Sequence, residues 1–167
     1  MDATGRVGDR DRDREGRAEN QRPRDRYGRP LPHGSTEGIP RIPGDAVFSP
    51  EEGLNEAQRL LDDGYAFHAH EVLEAVWKNE PEDTRELWRG LAQLAVGLTH
   101  AQRGNRVGAA RLLRRGAERV AEYGSDAPSG VDALGVARYG ESVADQLDGV
   151  GEPVIDTSEL RLRGDAR

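Results

Sequence analysis

The chain has 167 residues, a formal net charge of −7 and no cysteine. That length supports one domain and a tail, and the missing thiols exclude disulfides, thiolate zinc sites and cysteine nucleophiles, in keeping with a cytoplasmic setting. The longest apolar stretch, Leu91 to Ala101, is broken by Gln93 and His100 and is too short to span a bilayer, so no membrane association is expected.

Residues 1–30 carry alternating Arg and Asp and almost no apolar side chains. Such a segment cannot bury enough surface to offset its ordering entropy, so a disordered charged arm is predicted. Across residues 1–50 ten arginines face nine acids, so the acidic excess belongs to the remainder. A net-acidic folded part lacks the clustered cations that duplex nucleic acid requires. Residues 31–48 are rich in proline and glycine and read as an extended connector, with Ile39, Ile42, Val47 and Phe48 available to drape over a core.

A helical domain is expected over residues 49–148. "SPEE" opens it: Ser49 caps, Pro50 suits the first helical position, and Glu52 completes a capping box. The first helix runs to about Asp63, with Leu54, Ala57, Leu60 and Leu61 on one face, and Gly64 stops it. The second holds "FHAHEVLEAVW" and ends near Asn79, before Pro81. The third spans about Asp83 to Arg103 and is apolar round most of its circumference, which makes it the central helix. The fourth spans about Arg106 to Tyr123 with Asn105 as its cap, and the fifth about Val131 to Leu147 with Ser129 as its cap. Residues 149–167 form a polar tail with room for one short packed segment. The expected architecture is all-α, a compact bundle of about five helices built on two helical hairpins.

An offset of forty residues aligns Leu54 with Leu94, Gly64 with Gly104, Ala69 with Ala109 and Leu73 with Leu113. Each unit is a helix, a glycine stop and a second helix, and two stacked hairpins share a core that neither could bury alone. The same offset aligns His70 with Ala110 and Glu74 with Arg114. The polar residues of the first unit are therefore not demanded by the architecture.

Wound at 100° per residue, the second helix places His68, Glu71, Ala75 and Lys78 on its wet side. His70 and Glu74, an i, i+4 pair, fall on the flank between Trp77 and Phe67. On the third helix Arg89, Gln93 and His100 form a polar line between two apolar stripes. Polar groups on a buried helix need partners, so one cluster of His70, Glu74, Trp77, Arg89, Gln93 and His100 is expected. Trp77 and Trp88 also read as plain core, as large aromatics at helical spacing usually do.

"HEVLEAVW" followed by "LWRGLAQLAVGLTHAQRGNRVGA" resembles the uncharacterised prokaryotic family known as domain of unknown function 309. The resemblance covers roughly Ser49 to Tyr123 and extends to the fifth helix. It implies a small all-helical domain, supplies no activity or cofactor, and carries over His70, Glu74 and Trp77 through a His-x-x-x-Glu-x-x-Trp motif.

The cluster supports several readings. One is a binding module for a small molecule or a protein, with a Trp wall and Arg89 and Gln93 to orient a polar or anionic ligand. A second is a metal-binding protein or metal-dependent hydrolase holding a divalent ion through His70, Glu74 and His100. "HEVLE" departs from the zinc-protease pattern, because Glu74 stands where a second histidine would. A histidine beside a carboxylate also suits acid–base catalysis, but no glycine-rich phosphate loop, serine elbow or carboxylate pair accompanies it. The bland reading is a structural network that fixes the register of two helices.

Overall fold

The computed structural model describes residues 25, 27–30 and 42–164. Five α-helices follow in order: α1 Pro50–Asp62, α2 Ala66–Asn79, α3 Glu82–Gln102, α4 Arg106–Ala121 and α5 Ala133–Asp148. The described residues form no β-strand; Val131 and Arg163 make an isolated antiparallel bridge.

Local chemistry sets most of the boundaries. At α1 the Ser49 hydroxyl accepts from the Glu52 amide at 3.1 Å while the Glu52 carboxylate accepts from the Ser49 amide at 3.1 Å. Asn105 caps α4 through the Gly108 amide, at 3.1 Å. The fifth helix differs from expectation. Its cap is Asp132, which accepts from the Gly135 amide at 3.1 Å, and Ser129 lies in a preceding 3₁₀ turn with φ of +61°. Both residues have capping chemistry, and the tertiary bridge at Val131 decides between them by fixing where the helix starts.

The two hairpins turn in the same way. Gly64 and Gly104 each have φ of +84°, the left-handed conformation that ends α1 and α3. The Tyr65 amide bonds Leu60 O at 2.8 Å, and the Asn105 amide bonds His100 O at 2.9 Å. The forty-residue offset is thus a repeat of structure.

Each helix packs on its chain neighbours, with α3 and α4 in the broadest contact. Their backbones approach at Gly90 and Gly116: a Cβ on Gly116 would lie 2.8 Å from the Gly90 carbonyl oxygen. The central helix buries Leu87, Trp88, Leu91, Leu94, Ala95 and Leu98. Trp88 is wholly inside and is plain core.

Three segments outside the helices complete the core. From the connector, Ile42 and Phe48 pack against it, whereas Val47 is 75% exposed and Ile39 lies outside the described residues. The tail returns along α1. There Thr157 donates to Leu61 O, Gln58 brackets the Leu160 carbonyl and the Leu162 amide, and both leucines are buried. Residues 27–30, the described end of the arm, fold against the start of α2 and the α3–α4 turn. Arg103 donates to Tyr27 O at 2.8 Å and Gly28 O at 2.7 Å, and Gly28 sits against the Phe67 ring. The rest of the arm, residues 1–24 and 26, lies outside the described residues.

Candidate functional site

The seam between α2 and α3 gathers most of the expected cluster. On α2, the His70 Nε2 lies 2.8 Å from a Glu74 carboxylate oxygen. A carboxylate only accepts, so Nε2 carries the proton and Nδ1 of the neutral ring is left as an acceptor. The Lys78 ammonium stands 3.5 Å from the other Glu74 oxygen. The His70 hydrogen bond holds the Glu74 carboxyl below the usual carboxylate range, with partial burial opposing it and the Lys78 charge adding to it. The Phe67 ring backs the histidine, its centroid 5.7 Å away.

On α3, Arg89, Ala92, Gln93 and Val96 recur at i, i+3, i+4 and i+7, so one stripe faces α2. Together with Leu112 of α4, these residues and His70, Glu74 and Trp77 line a pocket of ≈ 190 Å³. Its walls are apolar (Ala92, Val96, Leu112 and the indole), with few polar groups among them.

Three of those polar groups are unsatisfied. His70 Nδ1, Trp77 Nε1 and Gln93 Oε1 are buried atoms without a hydrogen-bond partner. Native interiors pair nearly all such atoms, and each orphan costs about 1–3 kcal/mol. Arg89 is loosely held as well. Its guanidinium lies 3.6 Å from Glu86, whose other carboxylate oxygen is engaged closely by Arg119.

His100 does not join the cluster. It shares the angular position of Gln93 on α3 but lies two turns further along, roughly 10 Å by helical rise. Its ring nitrogen sits 3.3 Å from the Asn105 amide, at the α3–α4 turn. Periodicity fixed its face and said nothing of its height. Among the described residues no three His, Asp or Glu side chains converge closely enough to hold a metal ion, so His70, Glu74 and His100 do not assemble as one ligand set.

His68 also departs from expectation. It is fully buried rather than on a wet face. Its ring lies edge-on between Tyr65 and Phe67, with centroids 5.4 Å and 5.7 Å away. Ala75 is buried and Glu71 half-buried on the same side. A helical wheel treats the face turned from the neighbouring helices as bare, and here the flanking aromatic rings enclose His68. The sequence reading also missed Ala92, Val96 and Leu112 as pocket walls. The first two were signalled by their i+3 and i+7 spacing from Arg89. Leu112 carried no such signal, because its approach depends on how α4 packs on α3.

Residues 54–112 match the family described as domain of unknown function (DUF309). The chain is also similar to an uncharacterized protein, YpuF, of Bacillus subtilis (strain 168), with 36% identity over 86 residues, which is 50% of this chain and 49% of that relative. The chain thus spans about half the length of that relative. No solved structure matches. Among the described residues no helix is long and apolar enough to cross a membrane.

Proposed function

We propose that the chain is a binding module for a small polar molecule and that the α2–α3 pocket is where the molecule sits. One observation carries this reading: the unpartnered atoms of His70, Trp77 and Gln93 belong to side chains that line a single pocket. A purely structural network would pair its members with one another, because unpaired buried polar groups oppose folding. Here the only internal bond is His70 to Glu74, which sets the imidazole tautomer and leaves its other nitrogen for a visitor. The size favours a small molecule over a protein segment. At ≈ 190 Å³ the pocket lies below the roughly 300 Å³ at which pockets for drug-sized ligands begin.

The lining contains no Ser, Thr, Cys or Lys to act as a nucleophile. The Glu–His pair is therefore read as an orienting device rather than half of a catalytic triad.

The chain's two tryptophans make the test direct. Trp88 is wholly buried in the core, while Trp77 is a pocket wall. In a proton–nitrogen correlation spectrum of the ¹⁵N-labelled full chain, the two indole N–H signals are assigned by single Trp→Phe substitutions. A fragment library of small polar molecules is then titrated in. Binders should move the Trp77 signal in a saturable way and leave the Trp88 signal in place. If no fragment moves Trp77, the pocket is not a ligand site.

A further inference from the structure

The unpartnered atoms also specify what the ligand must offer. With Nε2–H donating to Glu74, neutral His70 presents Nδ1 as an acceptor. Gln93 Oε1 is a second acceptor, and Trp77 Nε1–H is a donor. The complement is a group with two N–H donors and one carbonyl acceptor held close together. A primary amide or a ureido group has that set.

The charged residue sets the rest. Arg89 and Gln93 are one turn apart on the same stripe of α3, and both line the pocket. It is 47% exposed and only 3.6 Å from a carboxylate that Arg119 already holds. Glu74, the one carboxylate of the lining, is taken by His70 and Lys78. Arg89 is thus the lining's one cation and is available for a bidentate carboxylate.

Resting on the pocket reading above, we infer that the ligand is a small carboxylate bearing a primary amide or ureido group. Its carboxylate pairs with Arg89, and its amide edge is read by His70 Nδ1, Trp77 Nε1 and Gln93 Oε1. Glu74 is a positioning residue, because it acts through the tautomer of His70 and need not touch the ligand.

Three probes of similar size separate the parts. N-carbamoylglycine carries both groups, ethylurea only the ureido edge, and propionate only the carboxylate. The readout is the Trp77 indole N–H signal of the full chain, with Trp88 as the internal reference. N-carbamoylglycine should bind about tenfold more tightly than ethylurea, the scale of one charge-assisted pair, and propionate more weakly than either. Arg89→Met should reduce N-carbamoylglycine to the level of ethylurea and leave ethylurea unchanged. Gln93→Leu should weaken both ureido probes. Glu74→Gln, which can hydrogen-bond His70 as either donor or acceptor, should weaken the ureido probes and leave propionate unaffected.

Propionate binding as tightly as N-carbamoylglycine would overturn the inference, leaving a simple anion site. Equal binding of N-carbamoylglycine and ethylurea would overturn the role of Arg89. No shift of Trp77 with any of the three would overturn the ligand class. The pocket reading fails separately, if the whole fragment library leaves Trp77 unmoved and solvent alone fills the space.

Discussion

The two hairpins are built alike and finished differently. Their turns share the same glycine conformation and the same two closing hydrogen bonds, yet the seam that follows each second helix diverges. In α4 the positions equivalent to His70, Glu74 and Trp77 are Ala110, Arg114 and Ala117. Ala110 and Ala117 are buried, and Ala117 lies against Gly140 of α5, where an added Cβ would approach it to 3.4 Å. Arg114 reaches three carboxylates of α5, with Asp148 at 2.7 Å, Asp145 at 3.0 Å and Glu141 at 3.8 Å. That seam is closed by small residues, and its charge is answered from within. The α2–α3 seam holds a tryptophan, an opening and three unanswered polar atoms. The second seam thus serves as a comparison for the first within one chain.

Transplanting α2 residues into α4 should cost the most stability. Val76 of α2 corresponds to Gly116 of α4, whose added Cβ would lie 2.8 Å from Gly90 O and 2.9 Å from Leu94 Cγ. Neither the Gly90 backbone nor the buried Leu94 can yield cheaply. Gly116→Val should lower stability by about 3 kcal/mol, the upper end of overpacking costs, measured by urea denaturation. A loss below about 1 kcal/mol would mean that α3 and α4 can separate without penalty. Ala117→Trp, which installs the first seam's indole opposite Gly140, should cost about 2 kcal/mol by the same measurement. A neutral result would show that this seam also has room for a pocket.

The reverse transplant should cost little stability and most of the binding. His70→Ala removes a hydrogen bond to a half-exposed carboxylate and also removes an orphaned nitrogen. The expected change in unfolding free energy is under about 1 kcal/mol, while ligand-induced shifts of Trp77 should disappear. A loss of 2–3 kcal/mol would favour the structural-network reading of the first seam.

The contrast between the hairpins was partly visible in the amino-acid order. Chemistry acting over three or four residues was legible: the Ser49–Glu52 box, the Asn105 cap, the Gly64 and Gly104 stops and the His70–Glu74 pair. The polar line on α3 put Arg89 and Gln93 on the face where both line the pocket beside His70, because helical periodicity fixes faces. What it could not fix was height, and His100 fell out of the cluster for that reason. Nor could it show cover supplied from elsewhere. His68 is buried with the Tyr65 and Phe67 rings edge-on beside it, on a face that the helical wheel left wet. Leu160 and Leu162 join the core because Gln58, a hundred residues earlier, accepts and donates for the returning tail. The choice of Asp132 over Ser129 as a cap rests on the same return, since Leu162 O receives the Asp132 amide at 2.9 Å.

The smallest expected effect concerns acid, and it separates the seams by a different property. Glu74 has its carboxyl pKa lowered, first by the His70 hydrogen bond. A carboxylate lowered in the folded state contributes stability that is fully present above its unfolded value of about 4.3, and that is lost as pH falls through the folded value. The group is more than a third exposed, so solvent screening limits the contribution to a few tenths of a kcal/mol. Glu74→Gln keeps the shape and removes the charge. The wild type should therefore exceed this variant in urea midpoint at pH 5.5, and the two should converge as the pH is lowered toward 3. A gap that persists unchanged at pH 3 would show that Glu74 stabilises the seam through its shape and packing. His70 would then owe its orientation to neighbours such as Phe67 rather than to the carboxylate.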